Sequence, residues 1–202
     1  MKNFNFAIVV LSAFLITGCS SNPKVARVNR DTQIDLSGGW NDTDVRMASR
    51  ELIQDVLAQP WLDNFMKSQG RNPTAIIGEI ANRTGEHINT QVITKEWEAA
   101  LLNSGRVQFV ASPEERGQVR AEREDQNKGG WTNPETAAPI GRETGGDYML
   151  IGSVNDVIDE VSRKSVRFYQ VNLELIDLET NNKIWFGQKE IKKQVSQPRF
   201  SL

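Results

Sequence analysis

The chain has almost none of the residues on which most enzyme chemistry is built. Among its 202 residues there is one cysteine, Cys19, and one histidine, His87. Nucleophilic hydrolysis needs a base beside its nucleophile, and zinc takes three or four His, Cys or carboxylate ligands; His87 sits in the polar stretch TGEHIN with only Glu86 as a neighbouring ligand type. It reads as a loop residue. Carboxylates are plentiful, but Glu122, Glu124 and Asp125 share a polar segment where solvated charge is the expected state, and Asp156 and Glu160 flank a hairpin among Val157 and Ile158. The glycine-rich run GRETGGD, residues 141–147, has no helix after it and so is no phosphate cradle. Lysine and arginine number 24 against 26 aspartates and glutamates, a formal net charge of −2, which provides no bulk field to draw the chain onto nucleic acid. These absences predict no enzyme activity, no cofactor, no metal and no nucleic-acid partner. They point to a binding role.

Long hydrophobic runs are also missing. The one apolar stretch, Phe6 to Ile16 broken only by Ser12, is about 11 residues against the ~20 needed to span a bilayer. Lys2 precedes it, and Leu15-Ile16-Thr17-Gly18-Cys19 follows: a charged region, an apolar region and a small residue directly before cysteine. This is the layout of a bacterial lipoprotein signal, with cleavage between Gly18 and Cys19 and lipidation on the Cys19 thiol. More than one acyl chain makes such an anchor stable. Acylation leaves no thiol, so the domain must hold together without a disulfide. Residues 1–18 are therefore read as signal peptide and residues 19–40, with scattered apolar positions and Gly38-Gly39 at their end, as lipidated terminus and tether. If flexible, ~20 residues reach ~25 Å in root mean square and at most ~70 Å extended.

Residues 41–202 are long enough for one domain. Asn41 or Asp42 can cap a helix in which Val45, Ala48, Leu52 and Val56 recur at helical spacing. Pro60 interrupts it, and Trp61, Leu62, Phe65 and Met66 form a second segment ended by Gly70. A strand is expected over 74–84, a helix from Asn89 or Thr90 to Ser104 with Gly105 as its stop, and a strand over 106–111. Ser112-Pro113-Glu114-Glu115 is a capping box with proline at the first helical position. The helix it starts, to about Lys128, has Val119 and Ala121 as nearly its only apolar residues and should lie on the surface. Asn133-Pro134 predicts a further helix through Ile140 and Arg142 to Gly145-Gly146. Three strands close the chain, over 147–159, 165–177 and 183–194. In the second, Tyr169, Val171, Leu173 and Leu175 alternate with Gln170, Asn172 and Glu174, the pattern of a strand buried on one side. The expected fold is a single-domain α/β sandwich: a mixed sheet of about five strands ending in an antiparallel three-stranded meander, with helices packed on it.

Three blocks carry a resemblance. IIGEIANRTGEHINTQVITKEWEAALLNSGRVQFV, residues 76–110, ends a strand in Asn82-Arg83-Thr84 and closes the next helix with Asn103-Ser104-Gly105; GRETGGDYMLIGSV, residues 141–154, and LELIDLETNNKIWFGQ, residues 173–188, follow. Together with the Cys19 signal they resemble the penicillin-binding protein activator LpoB family. The resemblance implies an outer-membrane lipoprotein, facing the periplasm, that docks on a class A penicillin-binding protein and raises its peptidoglycan synthesis. The chemistry would belong to the partner. Candidate contacts are Arg83 and the stripe of Arg116, Arg120 and Arg123, which recur at i, i+4 and i+7 on the polar helix and suit an interface by their planar donor forks. Arg83 reads equally well as a structural residue tying its loop to nearby carbonyls, and the stripe as a solvated face balanced by Glu115, Glu122 and Glu124. A second class stays open: a structural or assembly lipoprotein with a related periplasmic α/β domain, like curli channel subunits or the amino-terminal domain of TolB. A channel subunit should supply long alternating hairpins, and residues 112–131 are charged and helical instead.

Overall fold

A computed structural model describes Pro23 and residues 25–196. Gly18 and Cys19, on which the lipidation reading rests, lie outside the described residues. The chain divides into two units, Met1–Thr32 and Gln33–Leu202. In the first, the described residues include a turn in which Asn29 accepts the Thr32 amide at 3.0 Å through its carbonyl and the Asp31 amide at 3.0 Å through its side chain.

The second unit holds helices α1 (Asp42–Ala58) and α2 (Pro60–Gln69), strand β1 (Thr74–Arg83), helix α3 (Thr90–Asn103), strand β2 (Gln108–Phe109), helix α4 (Pro113–Lys128) and strands β3 (Tyr148–Val161), β4 (Lys164–Asp177) and β5 (Lys183–Ser196). The strands form one mixed sheet in the order β2-β1-β3-β4-β5. β1 is parallel to both its neighbours, β1–α3–β2 being a crossover unit, and β3, β4 and β5 are an antiparallel meander. The α/β fold class with a five-stranded mixed sheet is as the sequence predicts.

Local chemistry sets the boundaries. Asn41 accepts the Thr43 amide at 2.9 Å while Asp44 accepts the Asn41 amide at 2.9 Å, so α1 opens with a reciprocal cap. Ser112 and Glu115 repeat this at α4, with Pro113 where its missing N–H costs nothing. Asn181 holds a φ of 60° at the β4–β5 turn, a backbone conformation that asparagine tolerates.

Helices α1 and α3 pack on one face of the sheet. Val45, Leu52 and Val56 of α1 and Ile93, Trp97 and Leu101 of α3 close over Leu150, Val154, Val171, Leu173 and Trp185. Trp97 lies flat enough on the sheet that a Cβ on Gly152 would stand 3.1 Å from its ring and 2.6 Å from the Asn172 carbonyl. Only glycine fits there. α2 brings Trp61 and Phe65 edge-on to Tyr148, at 5.0 and 5.6 Å between ring centres. On the opposite face Ile184 and Phe186 are exposed, and Met149, Ile151, Phe168 and Ile176 are half-buried.

Two expectations are corrected. The helix predicted from Asn133-Pro134 is a single turn, in which Asn133 accepts the Thr136 and Ala137 amides through its carbonyl. Pro139 stops it: it has no N–H for the next helical bond and disfavours helical Ala138. Asn127 and Gln126 of α4 instead take the Ala138 carbonyl and amide, at 3.0 and 2.9 Å. The strand expected over 106–111 shrinks to Gln108–Phe109, because Arg106 is drawn to the Leu57 carbonyl and Asp63 and Ser112 already begins a helix. Residues 35–40, read as part of the tether, also bond to the domain: Lys193 donates to Asp35 and to the Gly39 carbonyl, both at 3.0 Å, and the Trp40 ring stands edge-on 5.5 Å from Tyr169.

Candidate partner-docking surface

β1 ends in Asn82-Arg83-Thr84, and the turn after it is held by its own side chains. The Asn82 carbonyl oxygen accepts the Thr84 amide at 3.0 Å and the Thr84 hydroxyl at 2.7 Å, and its amide donates to the Glu86 carbonyl at 2.8 Å. This is an Asx turn. Asp156 steadies it from β3 by accepting the Gly85 amide at 3.3 Å. The turn aims the Glu86 carboxylate inward, where it accepts from the Trp40 amide at 2.9 Å and from Arg167 and the Tyr169 hydroxyl at 2.5 Å each. Burial alone would push this carboxyl up. The Tyr169 hydroxyl, the Trp40 amide and the Arg167 guanidinium outweigh burial and hold it below the ordinary glutamate range. The Tyr169 hydroxyl, buried and bonded to that carboxylate, is pushed up to about 12.

Arg83 sits at the rim of this turn, exposed, opposite Asn155 on the sheet face away from α1 and α3. Beside it the face is polar: Asn155 donates to the Ser153 hydroxyl at 3.2 Å and to the Gln170 carbonyl at 3.4 Å. The Asn172 side-chain carbonyl is buried there without a partner among the described residues. An amide-lined patch of this kind can accept and donate hydrogen bonds to a partner.

The three helix arginines form a separate group on α4. Arg120 donates to both oxygens of Glu143 at 2.9 and 2.7 Å, Arg123 adds a bond at 3.2 Å, and the Arg116 charge acts on the same carboxylate. The Arg120 bond, foremost, keeps Glu143 below its ordinary range. Ile140 and Gly141 complete an open cavity of about 380 Å³ beside Arg120 and Arg123. Glu124 lines the same cavity, so two guanidiniums face two carboxylates there, with Arg116 outside the lining. No hydrogen bond or ion pair among the described residues joins Arg83 to it. Sequence inspection missed Glu86 and Glu143, the two carboxylates that organise these surfaces; each acts across more than 20 residues of chain and has no local pattern. His87 is exposed in the loop after the turn. Among the described residues no group of three or more His, Cys, Asp or Glu side chains is placed to hold a metal ion, and no helix is long and apolar enough to cross a membrane.

The family model described as "Peptidoglycan-synthase activator LpoB" matches residues 44–191. Among solved structures, the LpoB C-terminal domain from Salmonella enterica is 19% identical, with a TM-score of 0.37, over 66% of this chain and 94% of that one. An NMR structure of E. coli LpoB is 15% identical over 90% of this chain and 87% of that one, with a TM-score of 0.34. Lipoprotein GNA1162 from Neisseria meningitidis is 15% identical over 60% and 83%, with a TM-score of 0.37. No curated protein matches the chain.

Proposed function

The chain belongs to the peptidoglycan-synthase activator LpoB family, and we propose on that premise that it is an outer-membrane lipoprotein, facing the periplasm, which binds a class A penicillin-binding protein and raises its glycan polymerisation and crosslinking. The observation that carries this reading is the extent of the family match, which runs from within α1 to within β5 and so takes in at least part of every strand and every helix. Residues 1–18 act as signal peptide, Cys19 carries the lipid, and the tether ends where Asp35 meets Lys193. The protein contributes no catalytic group. It acts by preferring one conformation of the synthase, since a ligand shifts an equilibrium only by its difference in affinity for the two states. A tenfold preference corresponds to about 1.4 kcal/mol.

Arg83 and the Arg116, Arg120 and Arg123 group are the contacts we assign to the synthase. Arg83 stands exposed on a turn that Asn82, Thr84 and Asp156 hold rigid, so it meets a partner at little cost in ordering. Residues 33–202, prepared without lipid, should bind the organism's class A synthases and stimulate glycan polymerisation. Absence of both binding and stimulation would refute the reading.

A further inference from the structure

β1 is an inner strand at one end and an edge strand at the other. β3 accompanies it from Ala75 opposite Tyr148 to Arg83 opposite Asn155, with a register shift between Ile77 and Ile80, where Gly78 and Glu79 have no partner on β3. β2 pairs with it only at Thr74 and Ala75, and the last backbone bond on that side runs from the Val110 amide to the Ala75 carbonyl, 3.1 Å. Ser112 then turns the chain into α4. From Ile77 onward no described strand occupies that side of β1.

This bare edge is not flush with the surface. It forms one wall of a groove of about 670 Å³ whose other walls are the α3 flank, with Thr94, Lys95 and Glu98, and the first turn of α4. Ile77 and Gly78 are half-buried and Glu79 is exposed, so the backbone is reachable but sheltered. Unpaired strand backbone at a sheet edge is a template for another strand, and extended peptides bind proteins by pairing with such edges. The groove ends at the α4 cap, where β2 would otherwise have continued.

Charge selects the occupant. Glu79, Glu98, Glu114 and Glu115 line the groove against the single ammonium of Lys95, a net charge of −3. Lys95 is engaged already, donating to Glu98 at 2.7 Å and Glu115 at 2.9 Å. Side chains of an added strand alternate between faces, so every second one would stand on the α3 side, near Glu98 and Glu115. We propose that this groove binds an extended, basic peptide segment of another protein, which adds a strand beside Ile77–Ile80 and places lysine or arginine at alternate positions against the glutamates. The proposal rests on the synthase reading only for whose segment fills the groove.

The test uses the full chain in a non-ionic detergent and two eight-residue probes, one alternating valine with lysine and one alternating valine with glutamate. The lysine peptide should bind and slow amide exchange at Ile77–Ile80 at least tenfold. The glutamate peptide should not, and the E79K/E114K variant, altered at two exposed positions, should lose most of the effect. Failure of the lysine peptide to bind, binding without protection of Ile77–Ile80, or equal protection by both peptides would overturn the proposal. Repeating the exchange measurement with purified class A synthase separates the two readings: stimulation without protection of Ile77–Ile80 removes the synthase as the occupant while leaving the function in place, and protection by the peptide with no stimulation by the protein leaves the groove and removes the function.

Discussion

Replacing Lys193 with methionine should destabilise the domain far more than a surface lysine would. The Lys193 ammonium donates to Asp44 at 2.6 Å, to Asp35 at 3.0 Å and to the Gly39 carbonyl at 3.0 Å. Asp44 is only 2% exposed, so the variant leaves a buried carboxylate without its counter-charge. Exposed ion pairs contribute about 0–1 kcal/mol, whereas removing one partner of a buried pair costs about 3–5 kcal/mol. We expect a loss of about 3 kcal/mol, near the low end of that range because Asp35 keeps part of its solvation. For a domain of this size that corresponds to a fall of roughly 6–12 °C in Tm. The pH dependence has a definite sign. Burial raises the Asp44 pKa in the native protein even against Lys193, and without the lysine burial is left less opposed. A raised carboxyl pKa means that the folded state binds a proton the unfolded state does not, so the variant should recover stability as the pH falls through that raised value and lose it as the pH rises. Urea titrations at pH 7 and pH 5, on K193M, D44N and the double variant, provide the coupling energy. A loss below 0.5 kcal/mol at pH 7, or one unchanged by D44N or by acid, would refute the buried-pair account.

The E86Q variant should lose about 1.5–3 kcal/mol at pH 7, the range for a hydrogen bond to a charged group. Glu86 is held below its ordinary range in the folded state, so its contribution is present above the unfolded value and disappears as the pH falls through the folded one; wild type and E86Q unfolding curves should converge only once the pH is below that lowered folded value. Gly152→Ala should cost about 1–3 kcal/mol, because the new methyl meets the Asn172 carbonyl and the Trp97 ring; chemical denaturation reads it directly. Glu143→Gln should keep the fold, since none of the α4 residues is buried, and should change synthase affinity by freeing Arg120 and Arg123; unchanged affinity would remove the arginine group from the interface. Cys19→Ala should abolish labelling with tritiated palmitate, and retention of the label by that variant would contradict lipidation at Cys19.

What could be read from the sequence is what short-range chemistry controls. Asn41, Pro60, Ser112 and Gly105 mark helix ends because caps and stops act within four residues, and the alternation from Tyr169 to Leu175 reports a one-sided strand because its period is local. The expected helix after Asn133-Pro134 shows the limit of a single signal: the start is real, but Pro139 outweighs it within five residues. Glu86, Glu143 and Lys193 were not legible as organisers, since each finds its partners only once the sheet brings distant segments together. Arg83 and the helix arginines could be singled out by type and spacing, but not their separation into two groups.

The first helix and the last strand close on each other. Besides the Lys193 contacts, Lys189 donates to Glu51 at 2.5 Å and the Trp185 indole donates to Asp55 at 2.9 Å, across 138 and 130 residues of chain. A chain made amino terminus first therefore presents α1 long before β5 exists. Until β5 arrives, Asp44 has no ammonium and the α1 core face has nothing to cover on that side. The β3–β4–β5 meander makes short-range contacts and can form as it emerges, whereas the α1–β5 closure spans the domain and comes late. The order of synthesis thus delays completion of the fold until its last strand has been delivered.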